Sequence, residues 1–168
     1  MKLAILTQYF YPETGAPQNR LYELSKKFKE YGWEVMVITG MPNYPKGKIF
    51  PGYRWKFCCS EKIDTIDVNR YWLFASNSKN KLPRIISMIS FSLSSLFICF
   101  RLKKFKPDFL FIESPPLTLG YSGYLLSKYS GAKMIMNVSD IWPLSAKELG
   151  AIGDGKIYYI GGGSENSI

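Results

Sequence analysis

The sequence predicts an α/β fold built on a doubly wound, mainly parallel sheet. Short apolar segments of the kind found in strands buried on both faces alternate with longer segments of helical periodicity. The first two strands, residues 2–7 and 34–39, are separated by one helix, so they should form a parallel pair with a right-handed crossover. With 168 residues, 46% of them hydrophobic, the chain can bury a substantial core.

The helix between these strands is predicted to run from Pro17 to Tyr31. Proline suits the first turn, Leu21, Leu24 and Phe28 recur at helical spacing, and Gly32 ends the helix. Residues 40–62 then form an excursion rich in turns and aromatic side chains, and loops of that length are often functional. A third strand is predicted at 65–73.

A long helix is predicted from Pro83 to about Leu102. Isoleucines, leucines and Phe100 line one face and serines line another, and we favour a helix buried within the domain. The alternative is an element at a membrane surface, because residues 101–106 are strongly basic; the uncharged run of residues 85–100 is short for a span. The later elements are expected as a strand at 108–112, a helix at 117–129 and a strand at 133–138. We expect one domain over residues 1–155 and a linker-like or truncated end over 156–168.

Composition excludes several kinds of chemistry. The chain has no histidine, so it contains no Ser-His or Cys-His nucleophile pair and no His-ligated metal. Its three cysteines form no metal-ligand spacing and no disulfide framework, which favours a reducing, cytoplasmic setting. The net charge of +9 suits a phosphate or an anionic membrane surface, although solubility alone would also explain it. The basic residues form no nucleic-acid reading motif, so no nucleic-acid partner is expected. No metal or cofactor is predicted.

Four loops should meet where the parallel strands end, which is where open α/β sheets bind ligands. Gly15 lies in the loop before the first helix, where backbone and helix terminus could approach a phosphate. A second loop, residues 40–45, follows the second strand. Glu113 and Asp140 each follow a strand and could accept hydrogen bonds from sugar hydroxyls, and Trp142 offers a face for stacking on a sugar ring.

Each of these loops also has a plainer interpretation. The Gly15 loop could be an ordinary strand–helix turn, and residues 40–45 a rigid aromatic loop. Glu113 could be a solvated side chain, and Asp140 could cap the short helix expected at residues 144–149.

Five motifs in this order carry a resemblance to a known family. They are Tyr11-Pro-Glu-Thr-Gly-Ala-Pro17 with Arg20, Pro42-Asn-Tyr-Pro-Lys-Gly47, Val68-Asn-Arg-Tyr-Trp72, Ser114-Pro-Pro-Leu117 and Asp140-Ile-Trp-Pro143. Over residues 1–150 the chain resembles the N-terminal domain of family 4 glycosyltransferases of the GT-B fold, in the bacterial branch that builds O-antigen, capsule and exopolysaccharide.

The resemblance implies one Rossmann-like half of a GT-B enzyme, a retaining glycosyltransferase of the hexosyltransferase type. Such a half would hold a lipid-linked saccharide acceptor and could contact the inner face of the cell membrane. Glu113 and Asp140 would face the acceptor, and Trp142, Asn43 and Arg70 are further acceptor-binding candidates within the motifs. Gly15 and Arg20 would lie near the phosphates of the nucleotide-sugar donor.

The sequence also departs from the family pattern. Trp33 stands where histidine is frequent, the loop containing Glu113 lacks a histidine that some members carry, and Ser139 stands where arginine is common. The donor domain, with its paired glutamates, is not recognisable in these residues. We therefore expect the chain alone to lack transferase activity and assign no catalytic residue. The alternative is a non-catalytic α/β module that binds a nucleotide or phosphate at the Gly15 loop.

Overall fold

The computed structural model describes residues 1–78 and 80–139. Its six strands are β1 (Lys2–Leu6), β2 (Glu34–Gly40), β3 (Cys58–Ile63), β4 (Ile66–Tyr71), β5 (Phe109–Ser114) and β6 (Lys133–Val138). Its helices are α1 (Ala16–Glu30), α2 (Lys81–Ser95), α3 (Cys99–Phe105) and α4 (Thr118–Ser130), with a 3-10 turn, Leu96–Ile98, between α2 and α3.

The strands form one sheet in the order β3-β4-β2-β1-β5-β6. Strand β1 pairs in parallel with β2 on one side and with β5 on the other, and β2 pairs in parallel with β4. Strand β3 pairs antiparallel with β4, as the first strand of a hairpin. The predicted α/β, Rossmann-like, mainly parallel sheet is thus confirmed.

The alternating side chains of the central strands build two cores. Leu3 and Ile5 of β1 point to the face covered by α1, where Leu21 is buried with them. Ala4 and Leu6 point to the other face, where they pack in one cluster with residues of α2, α3 and α4. This arrangement explains why β1 reads as a continuous apolar run: both of its faces are covered.

On one side of β1 the sheet continues through β2 to β4, and on the other side of β1 lies β5. The carboxyl ends of β1 and β5 therefore border the point where the strand order reverses, which is the usual ligand crevice of such sheets. The loop after β1 contains Gly15, and Glu113 lies near the end of β5.

Two predicted elements differ in detail from the structure. Residues 58–63, expected within the long loop, form strand β3. The long predicted helix is interrupted at Leu96–Ile98 and extends to Phe105. Moreover, α2 turns its serines inward: the buried residues of this helix are Ser87, Phe91, Ser92, Ser94 and Ser95.

The chain divides into two compact units, residues 1–137 and 138–168. The first unit contains the sheet up to Asn137 and all four helices. The predicted boundary at residue 155 and the tail at 156–168 lie outside the described residues, and they stay predictions.

Candidate functional site

An ion pair marks the carboxyl end of the sheet beside the reversal point. Arg20 projects from α1, and its Nη2 lies 2.5 Å from Oε1 of Glu113 at the end of β5. The Glu113 side chain is almost completely buried, whereas that of Arg20 is half exposed. Asn137 donates a second hydrogen bond of 2.9 Å to Oε2 of Glu113. The interpretation of Glu113 as a solvated loop side chain is therefore wrong.

This arrangement brings three strand-end regions together: the helix after β1, the end of β5 and the end of β6. A buried carboxylate held by a guanidinium is fixed in orientation, so its oxygens can accept hydrogen bonds from hydroxyl groups.

Gly15 is the residue that precedes the first turn of α1, and its backbone is extended. A Cβ at this position would lie 2.4 Å from Oε1 of Gln18, so glycine allows the Gln18 side chain to fold back against the helix start. Gln18 is buried, and its Oε1 has no hydrogen-bond partner among the described residues. Sequence reasoning missed Gln18, and a polar residue in the first helical turn beside Gly15 was the available signal.

Glu13 joins the loops that follow β1 and β2. Its buried carboxylate accepts hydrogen bonds from the backbone N–H groups of Asn43 at 2.7 Å, Tyr44 at 2.8 Å and Phe10 at 3.2 Å. Burial raises the pKa of the Glu13 carboxyl above its ordinary value, and the three N–H donors oppose that shift. Nothing in the periodicity of the sequence singled out Glu13, because its partners are backbone groups.

Arg70 of β4 contacts the loop after β1 and the end of β2. Its fully buried guanidinium donates to Glu61 at 2.5 Å, to the carbonyl oxygen of Tyr11 at 2.5 Å and to that of Gly40 at 3.3 Å. In this structure Arg70 therefore fixes the loop after β1 and the end of β2 relative to β4, and the role predicted for it in acceptor binding stays a prediction.

The remaining predicted site residues have different positions. Asn43 is buried in the loop after β2, where its side-chain amide donates to the carbonyl oxygen of Met41 at 3.0 Å. Asp140 and Trp142 lie outside the described residues, so their predicted roles stay predictions. Gly15, Arg20 and Glu113 are the predicted residues that the structure places around the β1–β5 crevice.

Two cavities lie away from this crevice. One, of about 600 Å³, lies toward the opposite ends of β2 and β4 and is lined by Lys2, Asp67, Arg101 and Lys104 among others. The other, of about 380 Å³, lies within the long loop after β2, between Pro45 and Arg54. Among residues 1–78 and 80–139, no group of three or more Cys, Asp or Glu side chains could hold a metal ion.

Comparison with known proteins agrees with the motif resemblance. The chain is 29% identical over 157 residues to WcaI of Escherichia coli (strain K12), described as a colanic acid biosynthesis glycosyl transferase. The chain resembles a glycosyltransferase of polysaccharide biosynthesis. The match covers 93% of this chain, so it confirms the resemblance that the five motifs predicted.

The matched region spans only 38% of the WcaI length. No family model matches the chain. A crystal structure of the C-terminal domain of the PF1911 hydrogenase from Pyrococcus furiosus superposes with a TM-score of 0.46 and 16% identity, covering 82% of this chain and 89% of that chain. A likeness of that size carries no argument about function.

Proposed function

We propose that this chain is the acceptor-binding half of a glycosyltransferase that moves a sugar from a nucleotide-sugar to a lipid-linked saccharide in cell-surface polysaccharide synthesis. The observation that supports this most directly is the ion pair of the buried Glu113 carboxylate with the half-exposed Arg20 at the reversal point of the sheet. The similarity to a colanic acid glycosyl transferase across 93% of the chain supports the same reaction class.

In this proposal Glu113 receives the acceptor. Its carboxylate, oriented by Arg20 and Asn137, accepts hydrogen bonds from sugar hydroxyls and sets which hydroxyl faces the donor. Asp140 and Trp142 take the acceptor roles predicted for them, as a further hydroxyl acceptor and a stacking surface. Glu113 positions the acceptor; we assign no general base.

Donor binding falls mainly to a second domain of a GT-B enzyme. Gly15, at the start of α1, approaches the donor phosphates from this side, with Arg20 of the same helix near them. Closure of the two domains excludes water and aligns the acceptor hydroxyl with the anomeric carbon, with retention of configuration.

The test uses the complete enzyme with Glu113→Gln, and transfer from a labelled nucleotide-sugar to a lipid-linked acceptor is measured. We expect kcat/KM to fall by roughly 100-fold, because the amide replaces one acceptor oxygen with a donor and removes the charge that pairs with Arg20, so the acceptor hydroxyl is misplaced. Glu23→Gln, on the exposed side of α1, is the matched control and should leave transfer unchanged. Turnover by Glu113→Gln at the level of the control would contradict the assignment.

A second candidate function is a nucleotide- or phosphate-binding module. The observation that favours nucleotide binding is the buried amide oxygen of Gln18 beside Gly15, which has no partner among the described residues and can accept a hydrogen bond from a ribose hydroxyl or a base amino group. Calorimetric titration of the 168-residue chain with UDP separates the two. Micromolar binding that Gln18→Leu abolishes would favour the module, whereas the transferase proposal expects weak binding, since the second domain makes most nucleotide contacts.

A further inference from the structure

We infer that the outer surface of α2, α3 and α4 docks on an anionic phospholipid membrane. We call this surface the helical face. Along its α2–α3 edge the exposed large hydrophobic side chains include Leu82, Ile85, Ile89, Leu93, Phe97 and Phe100. The inference does not depend on the proposed function, because it rests on residues other than those of the β1–β5 crevice.

The first argument is the inverted polarity of α2. Ser87, Ser94 and Ser95 are buried, while Ile85 and Leu93 are exposed, and Leu93 is 59% exposed. A helix on the surface of a protein in water normally turns its apolar stripe toward the core. Small polar residues at helix contacts and branched apolar residues outside are instead the pattern of helices that face lipid.

Hydrogen bonds account for the inward serines. Ser92 Oγ donates to Thr118 Oγ1 at 2.8 Å, and Ser122 Oγ of α4 donates to the carbonyl oxygen of Ser92 at 2.8 Å. Ser94 Oγ reaches back to the carbonyl oxygen of Trp72 at 2.5 Å. These bonds fix the rotation of α2, so the outward direction of its isoleucines and leucines is a built feature of the fold.

The exposed side chains form a continuous stripe. They recur every three or four residues from Leu82 to Phe100, so they lie on one side of successive helical turns. The Phe97 ring contacts that of Phe57 with centroids 5.1 Å apart, and Phe100 lies near Tyr129 at 6.4 Å, which extends the stripe sideways. An exposed apolar patch of this extent marks an interaction surface.

The second argument is charge. The two segments that contain these helices, residues 72–107 and 114–139, carry nine of the 22 Lys and Arg residues and no Asp or Glu. The rest of the chain carries 13 basic and 13 acidic residues, so the entire net charge of +9 arises from these segments. A second copy of the chain would bring the same positive charge against itself, whereas anionic lipid headgroups complement it.

Side chains at the border of the face suit the headgroup region. Tyr121, Tyr124 and Tyr129 of α4 are exposed, and tyrosine is enriched where membrane meets water. The ammonium group of Lys103 lies 4.8 Å from the Tyr129 ring centre, and that of Lys128 lies 5.7 Å from the Tyr124 ring centre. Positive charges therefore lie beside the aromatic border, where they can reach lipid phosphates.

The geometry favours docking along the surface over a span. By length and composition alone, the helical segment from Lys81 to Phe105, which contains an 18-residue window with a mean hydropathy of 1.9, could cross a membrane. However, Phe91, Ile98 and Leu102 on its inner side are fully buried in the core against the sheet. Crossing the bilayer would remove these side chains from the core, whereas lying on the bilayer surface leaves them in place.

The test measures co-sedimentation of the chain with vesicles of phosphatidylcholine alone or mixed equally with phosphatidylglycerol. We expect partitioning to be at least about tenfold stronger on the anionic vesicles, and a triple variant Ile85→Gln, Ile89→Gln, Leu93→Gln to weaken it by a similar factor. The double variant Arg84→Glu, Lys103→Glu should remove the preference for anionic lipid. Absence of pelleting with either vesicle would overturn the inference.

Matched controls lie on the opposite side of the sheet. Tyr31→Gln removes an exposed aromatic side chain after α1, and the double variant Lys26→Glu, Lys27→Glu reverses two charges on that helix. Neither change should alter vesicle binding; equal losses in the control and test variants would overturn the docking surface.

A second measurement remains decisive if the triple variant fails to fold. Brominated lipid should quench the tryptophan fluorescence of the wild-type chain. The quenching should be weaker in Trp72→Phe, because Trp72 is exposed near the helical face. It should be unchanged in Trp33→Phe, because Trp33 packs on Phe28 on the other side of the sheet. Unchanged quenching in Trp72→Phe would contradict the inference. Self-association that the triple variant abolishes, without vesicle binding, would assign the face to a second copy instead.

Discussion

The Oε1 atom of Glu13 lies 2.7 Å from the backbone nitrogen of Asn43, and this contact ties the loop after β1 to the loop after β2. The same oxygen accepts the Tyr44 N–H, and Oε2 accepts the Phe10 N–H. One buried carboxylate thus satisfies three backbone donors that secondary structure leaves without partners. The shape of the crevice edge next to Gly15 depends on it.

Replacement of Glu13 by glutamine should lower the free energy of unfolding by about 1–3 kcal/mol. The amide nitrogen cannot accept a hydrogen bond, so one of the three backbone N–H groups loses its partner in a buried place. Urea denaturation measures the loss. Glu23→Gln, at an exposed position, should change the free energy of unfolding by less than about 0.5 kcal/mol. Equal effects of both changes would contradict a stabilising role for the three hydrogen bonds to Glu13.

The pKa of Glu13 also predicts a pH dependence. Burial raises the folded-state pKa of this carboxyl above its ordinary value, so the native state binds more protons than the unfolded state between the two values. The stability contributed by the carboxyl is therefore present below the ordinary pKa and is lost as pH rises through the folded value. The difference in unfolding free energy between wild type and Glu13→Gln should fall over that window; a rise would show that the N–H donors dominate.

Replacement of Arg70 by lysine should destabilise the fold by about 3 kcal/mol. An ammonium group cannot reach Glu61 and the carbonyl oxygens of Tyr11 and Gly40 together, and it leaves buried acceptors without a donor. Thermal unfolding gives the measurement. The matched change Arg54→Lys, at an exposed arginine, should leave the melting temperature nearly unchanged, and a similar shift in both variants would count against the role of Arg70.

Two glycines of α4 provide a test of helix–sheet packing. A Cβ at Gly123 would lie 2.0 Å from Cδ1 of Ile112, so Gly123→Ala should push α4 from β5 and cost about 1–3 kcal/mol. At Gly120 the nearest atoms belong to the Met136 side chain at 3.2 Å, which can rotate away. Gly120→Ala should therefore cost less, and the order of the two melting temperatures checks the contact.

Much of the sheet could be predicted because its inner strands are covered on both sides. In β1 and β2 every position from Leu3 and from Val35 onward is buried, which produces an apolar run that local pattern detects. Strand β3, Cys-Cys-Ser-Glu-Lys-Ile, was missed because it is an edge strand whose residues are all at least partly exposed. It pairs with β4 only, so its sequence needs no apolar character.

The candidate site was predictable in position but not in its contacts. The rule that ligands lie at the carboxyl ends of parallel strands led to Gly15 and Glu113. Pairing between Arg20 and Glu113, 93 positions apart, depends on the tertiary fold and leaves no local pattern. For the same reason the motif containing Arg70 indicated a functional residue without indicating that its guanidinium is buried beneath two loops.

The antiparallel strand β3 has a consequence for solubility. It is a short polar strand at one edge of the sheet, and it contains the opposite charges of Glu61 and Lys62. An incoming chain that tried to extend the sheet there would have to desolvate these charges, so fibril growth by strand addition at that border is disfavoured.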